Sequence, residues 1–276
     1  MKILTAYDTD IGKSKSVNQD ALCIKEAQTN CGLFTMALVC DGMGGYSSGE
    51  VASSTVVKAF SEWFENKLPF MLDGSFTLDM VRHEWNELAK LYSKLTVEYG
   101  LKLQPSIKLG TTLTAILITE RYGAEIIHVG DSRLYKIASV FEQVTQDHTK
   151  IAYLVANDKM ELKDKDMKLT QEQKEYVIEH HPERHILSQC IGGSRVECTP
   201  SNYRLAVEEY SGGMAFLICS DGFRHELTKQ ELTDIFKYEE LDTEATMKQK
   251  IRQTINLNIQ RGETDNITAV LLNVVR

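Results

Sequence analysis

Only a turn around YGA separates an apolar, β-branched run at 112–119 from a second at 125–129, and only GDS separates the second from a third at 133–137. Links this short leave no room for a crossover helix, so each pair is expected to form an antiparallel hairpin. Similar runs occupy 3–7, 21–24, 33–39, 203–207, 214–219 and 267–275, too many for one small sheet. Helical spacing is confined to two blocks. In the early block Val56, Phe60, Trp63 and Phe64 line one helix face, and Val81, Trp85, Leu88, Tyr92 and Leu95 line another. In the late block TKQE at Thr228 is a capping-box pattern ahead of Leu232, Ile235 and Phe236. A last helix is expected over 243–258, with Ile251 and Ile255 turned inward. Two antiparallel sheets packed together, with helices on their outer faces, would bury all of these surfaces in one α+β domain.

The 276 residues suffice for a full core, and a single domain spanning 1–276 is expected. Lys plus Arg number 31 against 39 Asp plus Glu, a net charge of −8 that argues against broad affinity for nucleic acid or anionic lipid. No window reaches the ~18 apolar residues of a membrane span. The opening MKILTAYDTDIG meets acidic residues too early for a signal-peptide core, so the cytoplasm is the expected compartment, with no membrane or nucleic-acid partner. The six cysteines contain no CxxC pair, and reduced, buried thiols are expected. Segment 147–189 carries the mixed-charge DKMELKDKDMK and then helical EQKEYVIEHH. It has too few apolar residues for a core of its own and is expected to be a surface excursion with one or two helices.

Candidate chemistry concentrates at strand ends. LVCDGMGGYSSGE delivers Asp41 from an apolar strand into glycines that permit a tight turn and a close approach of backbone. It is neither a P-loop, since no GK[ST] follows, nor a GxGxxG dinucleotide fingerprint. Taken alone, Asp41 could equally cap the following helix. The construction repeats at Asp131 after 125–129 and at Asp221 after 214–219, and Asp265 stands just before the last strong strand. Four aspartates gathered at one edge raise each other's pKa unless a cation neutralises them. Four unrelated turn residues would be the plainer reading, but it needs four coincidences. All-oxygen ligands suit magnesium or manganese rather than zinc or copper, and two such ions can activate water for in-line attack on phosphorus. DTDIGKSKSVNQDA offers Lys13 and Lys15, near Asp20, either as cations for a phosphate or as ordinary solvated charges.

In order along the chain, TDIGKSKSVNQD, LVCDGMGGYSSGE, LGTTLT, IIHVGDSRLYKI, VTQDHT, HHPERHILSQCIGG, FLICSDGF and GETDNITAVLL resemble the motif series of the metal-dependent protein Ser/Thr phosphatases of the PP2C type, in their compact bacterial form. The resemblance covers essentially the whole chain. It implies a four-layer αββα sandwich of two antiparallel β-sheets flanked by helices, with two catalytic Mn2+ or Mg2+ ions between the sheets at one end. On this pattern Asp41 would bridge the two ions and the Gly42 carbonyl would ligate one of them, while Asp221 and Asp265 would ligate the other. Asp20 would orient the attacking water, and Asp131, sharing Asp221, would help hold a weaker third ion. Gly110, Thr111 and Thr112 match a structural GTT turn, and Arg133 a structural ion-pair partner. His180, His181 and His185 match a structural HPxR segment rather than a metal cluster, and 147–189 would be the family's flap.

Two positions depart from the family's pattern. Lys15 stands where an arginine usually grips the substrate phosphate through two parallel hydrogen bonds; lysine keeps the charge and loses the fork. Tyr46 stands where bacterial members commonly have histidine, and Met43 where many eukaryotic members have a general-acid histidine, so leaving-group protonation has no obvious side chain. The resemblance implies hydrolysis of phosphoserine and phosphothreonine in proteins, without a covalent phosphoenzyme, by a monomer whose substrates include a Ser/Thr kinase. The alternative is a PP2C-like regulatory module that binds phosphoproteins and has lost turnover.

Overall fold

The computed structural model describes residues 1–44, 48–103, 105–160, 169–193 and 198–275; Tyr46 and most of DKMELKDKDMK lie outside them. In chain order the strands are β1 (Lys2–Asp10), β2 (Asp20–Thr29), β3 (Gly32–Gly44), β4 (Leu109–Thr111), β5 (Leu113–Thr119), β6 (Gly123–Val129), β7 (Arg133–Ile137), β8 (Phe141–Gln143), β9 (Ile191–Gly192), β10 (Ser201–Leu205), β11 (Met214–Cys219) and β12 (Ile267–Val275). The helices are α1 (Gly49–Glu62), α2 (Leu68–Leu72), α3 (Leu78–Lys102), α4 (Lys150–Ala156), α5 (Gln171–His180), α6 (Val207–Tyr210), α7 (Lys229–Ile235) and α8 (Glu244–Arg261).

Alternation along the strands sets the layers. In β5, Ala115 and Leu117 join the cluster under α1 and α3, while Ile116 and Ile118 point into the space between the sheets. In β12, Ala269 and Leu271 pack with Ile251 and Ile255 of α8, while Val270 and Leu272 meet Ile116 and Ile118 across the middle. Period-two side-chain direction therefore feeds three apolar layers from two sheets. One sheet has the order β1-β12-β11-β7-β8; the other has β10-β6-β5-β3-β4-β9, with β2 also paired to β3. Among the described residues all ten strand pairings are antiparallel. This is the expected α+β sandwich of two sheets flanked by helices.

The expected hairpin across GDS does not form. β5 and β6 do pair across the YGA turn, but β6 lies in one sheet and β7 in the other. Gly130, at φ +109°, turns the chain out of its sheet so close to Thr112 that a Cβ there would sit 2.6 Å from Thr112 Cγ2. Link length alone does not distinguish a hairpin from a change of sheet, whereas the left-handed glycine against a buried threonine does. The apolar face of α3 also differs from its expected course: Val81 and Trp85 are buried, but the face continues through Ala89 and Ser93, leaving Leu95 43% exposed. At Thr228 the capping box forms, with Glu231 N–H donating to Thr228 Oγ1 and Thr228 N–H donating to Glu231 Oε2. All six cysteines are free thiols, but only Cys40, Cys198 and Cys219 are buried as expected; Cys23, Cys31 and Cys190 are half-buried.

Candidate active site

Strand β3 carries Asp41 and Gly42 to the end of the sandwich, and the antiparallel register sets Asp20 of β2 directly opposite Asp41. Two carboxylates facing one another across a ladder repel, so this register is costly without a positive partner. The main chain at Asp41 is held firmly: its N–H donates to Thr112 Oγ1 (2.8 Å), and its carbonyl accepts from Thr111 Oγ1 and Thr112 N (both 2.9 Å). Gly110 and Thr111 lie in strand β4, paired on both sides, rather than in the expected turn, and the GTT segment fixes backbone, as a hydroxyl beside a strand usually does. Gly42 has no room for a side chain, since a Cβ would lie 2.2 Å from the Gly49 carbonyl oxygen at the start of α1.

The second sheet delivers its carboxylates to the same edge. Asp221 opens a short turn, Asp221–Phe223, directly after β11, and Asp265 precedes β12. Asp131, 6% exposed, sits in the crossing between the sheets that replaces the expected hairpin. Burial, then Asp20, Asp221, Asp131 and Asp265, pushes the Asp41 carboxyl well above the usual range. Asp20 rises to about 7, chiefly through burial, although hydroxyl donors including Ser220 Oγ at 2.8 Å resist the rise. Burial and then Asp221 raise Asp131, also to about 7. Asp221 is the exception: burial pushes it up, but His225 and Arg224 outweigh burial and hold it below the ordinary range.

Lys15 stands at the exposed rim, its Nζ 2.8 Å from Asp265 Oδ1. Its placement comes from Asn266, whose Oδ1 accepts from Gln19 N (2.8 Å) and whose Nδ2 donates to the carbonyls of Ile11 (2.9 Å) and Val17 (3.3 Å). These bonds pin the loop between β1 and β2 onto the residue after Asp265. Burial would lower the Lys15 pKa, but Asp265, with Asp41 and Asp221 behind it, raises it. Lys13 is exposed. Arg133 is turned away from the rim, gripping Asp147 through Nε (2.8 Å) and Nη2 (2.7 Å) and reaching Glu179 of α5 at 2.6 Å. His180 stacks on Tyr176 and His181 accepts from Glu183 N, so each is engaged locally.

Sequence reasoning missed His225, Glu263 and Ser220. His225 Nε2 lies 3.3 Å from Asp221 Oδ2, and its Nδ1 lies 3.3 Å from Glu263 Oε2. Their only trace in the sequence was spacing, a histidine four residues after one strand-end aspartate and a glutamate two before another.

The donor set suits hard divalent cations. The Oδ1 atoms of Asp20 and Asp221 are buried and face no donor, which is costly for carboxylates without a positive partner. Among the described residues no three Asp, Glu, His or Cys side chains already close into a cage. An open, all-oxygen edge of this kind matches ions that keep several waters.

The family model described as Protein phosphatase 2C matches residues 11–271. A putative protein phosphatase 2C-type of Streptococcus pyogenes is 30% identical over 281 residues, covering 99% of this chain and 97% of the relative. The serine/threonine protein phosphatase PstP of Mycobacterium tuberculosis is 28% identical over 98% of this chain, which spans only 45% of that protein's length. Among solved structures, the serine/threonine phosphatase of S. agalactiae superposes with a TM-score of 0.77 at 27% identity, covering 99% of this chain and 100% of that one. A match running from the first site loop into the last strand, in a sandwich of the same shape, means that this chain belongs to the protein phosphatase 2C family.

Proposed function

We propose that this chain hydrolyses phosphoserine and phosphothreonine monoesters in proteins, using two divalent cations, Mn2+ or Mg2+, at the carboxylate edge. Membership in the family implies divalent-metal dependence. The observation that carries the reading is the direct opposition of Asp20 and Asp41, beside the donorless Oδ1 of Asp221. Asp41 would be shared between the ions, the Gly42 carbonyl would serve one, and Asp221 and Asp265 the other; Asp131 would hold a weaker third with Asp221. When bound, such ions make water acidic enough to attack phosphorus and take up the charge that develops on the phosphate oxygens.

The protein's own groups supply orientation. Ser220 occupies Oδ2 of Asp20, leaving Oδ1 as the acceptor that orients the attacking water. Lys15, at the rim, would exchange Asp265 for a phosphate oxygen and bind it as a point charge. Arg133 has both edges of its guanidinium on Asp147 and Glu179 and takes no part in holding substrate. The whole of 1–276 would act as one domain and as a monomer, with 147–189, which includes α4 and α5, as a flap beside the site. Phosphorylated proteins, an opposing Ser/Thr kinase among them, are the proposed substrates. The cytoplasm, where free cysteines stay reduced, is the proposed compartment; no helix among the described residues is long and apolar enough to cross a membrane.

The test is phosphate release from a phosphothreonine peptide. Release with Mn2+, its loss on chelation and its return on re-addition are expected. Undiminished release from a verified metal-free preparation overturns the mechanism, and tight peptide binding without release identifies the regulatory module instead.

A further inference from the structure

The contacts of His225 reach beyond one carboxylate. Its Nε2 takes Asp221 Oδ2 at 3.3 Å, and Asp221 Oδ1 is left buried and without a donor. Its Nδ1 takes Glu263 Oε2 at 3.3 Å. The other oxygen of Glu263, Oε1, accepts from Thr264 N (2.6 Å) and Asp265 N (2.8 Å), so Glu263 also fixes the backbone that carries Asp265. Glu263 is buried and His225 largely so. Asn258 secures the surroundings, with its Nδ2 donating to the Phe223 carbonyl at 2.8 Å and its main-chain carbonyl accepting from Glu263 N at 3.0 Å.

We infer that His225 and Glu263 form a bracket that joins the Asp221 turn to the Asp265 loop and sets the separation and facing of those two carboxylates for a divalent cation. The inference rests on the proposed metal reading and assigns a positioning role that neither residue had. One imidazole occupies the outer oxygen of Asp221 and so directs the inner oxygen toward the site. One glutamate divides its two oxygens between that imidazole and the Asp265 backbone. A ligand held from behind in this way loses less freedom when it coordinates, and removing such a support characteristically weakens metal binding by about 10–100-fold.

Calorimetric titration of the full-length chain with MnCl2 reads the bracket directly, without reference to turnover. Three variants separate its parts. His225→Ala removes both contacts. Glu263→Gln keeps the Oε1 acceptor for Thr264 and Asp265 and replaces the oxygen that faces the ring with an amide NH2. His225→Gln keeps a side-chain N–H within reach of Asp221.

His225→Ala should bind Mn2+ about 10–100-fold more weakly while retaining the wild-type circular dichroism spectrum. His225→Gln should recover part of that loss, which a general packing defect would not. Glu263→Gln should show a smaller loss, and the His225→Ala/Glu263→Gln double variant should be no worse than His225→Ala, because both substitutions break one linkage. Unchanged affinity in folded His225→Ala overturns the bracket, as do fully additive losses in the double variant or a His225→Gln no better than His225→Ala. Should His225→Ala fail to fold, the two Gln variants take its place: Mn2+ affinity unchanged from wild type in both His225→Gln and Glu263→Gln overturns the bracket, and weakened affinity in both, no weaker in their double variant than in the weaker single, supports it. A wild-type chain that binds no Mn2+ is a different failure, since it removes the metal reading itself.

Discussion

At Lys15 one positive charge has two candidate anions, the Asp265 carboxylate it touches at 2.8 Å and a phosphate approaching the rim. An ammonium makes this exchange readily because it is a point charge with rotatable donors, where a guanidinium would be locked to one planar partner. Lys15→Ala should therefore cost about 1.5–3 kcal/mol of transition-state stabilisation, the range for a hydrogen bond to a charged group. Steady-state kinetics on a phosphothreonine peptide would register this as a fall in kcat/KM of about 10–150-fold, and an unchanged value would remove Lys15 from the mechanism. A second prediction concerns His128, which is fully buried with Nδ1 2.9 Å from Thr114 Oγ1 and Nε2 3.1 Å from the Gln146 carbonyl. Burial, then the neighbouring His148, pushes its pKa down to about 3, although Asp147 pulls the other way. The unfolded chain binds this proton near pH 6.5, the folded chain only near 3. The contribution of neutral His128 is therefore complete above pH 6.5 and lost progressively as pH falls toward 3. The stability advantage of wild type over His128→Asn, read by urea unfolding, should shrink between pH 7 and pH 4. Taking that difference cancels the site carboxylates, of which Asp20, Asp41 and Asp131 titrate in the opposite sense and Asp221 in the same one. An advantage that holds constant across this range would mean that the ring is not kept neutral by burial.

Helix α5 has no buried residue, so its attachment depends on polar contacts. Glu179 accepts from Arg133 Nη1 at 2.6 Å and pairs with Arg224 Nη1 at 3.1 Å, and Arg224 lies three residues after Asp221. Burial raises the Glu179 carboxyl, but the two arginines more than offset this and leave it low. Glu179→Gln should loosen the helix while sparing the sandwich. Hydrogen exchange across Gln171–His180 should accelerate with the thermal midpoint nearly unchanged, and exchange as slow as wild type would assign the attachment elsewhere. At this scale the sequence was legible wherever a local rule decided the structure. Thr228 and Glu231 lie within one turn of each other, so their capping box could be read directly. Asp221 could be read as following a strand end because an apolar run precedes it, whereas β3 does not stop before Asp41 but continues to Gly44, its glycines pairing with β4. The crossing at Gly130 could not, since three residues suit a hairpin and a sheet change alike. His225 and Glu263 could not be paired either, because they meet only once β11 and β12 lie side by side. The face of α3 drifted past Leu95 because Ser93 and Thr96, not large apolar groups, pack against the strands there.

Across the whole molecule, the carboxylates come from two separately assembled halves. Asp20 and Asp41 belong to the seven-stranded sheet, and Asp221 and Asp265 flank strands of the five-stranded one. Cations bound by both halves would stabilise the folded chain alone, adding about 2.7 kcal/mol per site at a hundredfold excess over Kd. The melting temperature should climb with Mn2+ concentration and remain flat with equal ionic strength of NaCl; parallel behaviour in the two salts would count against a specific site. The apolar layer between the sheets has a further consequence. Ile116, Ile118 and Ile126 face Phe216, Val270 and Leu272 there, each fully buried, in an interior too closely packed to compress. Those side chains are a spacer, and their summed thickness fixes how far apart the two halves hold their oxygens. Which ionic radius the proposed site would accept is thus gauged by hydrocarbon remote from the edge, and a methylene trimmed from the spacer would retune the gap at the rim.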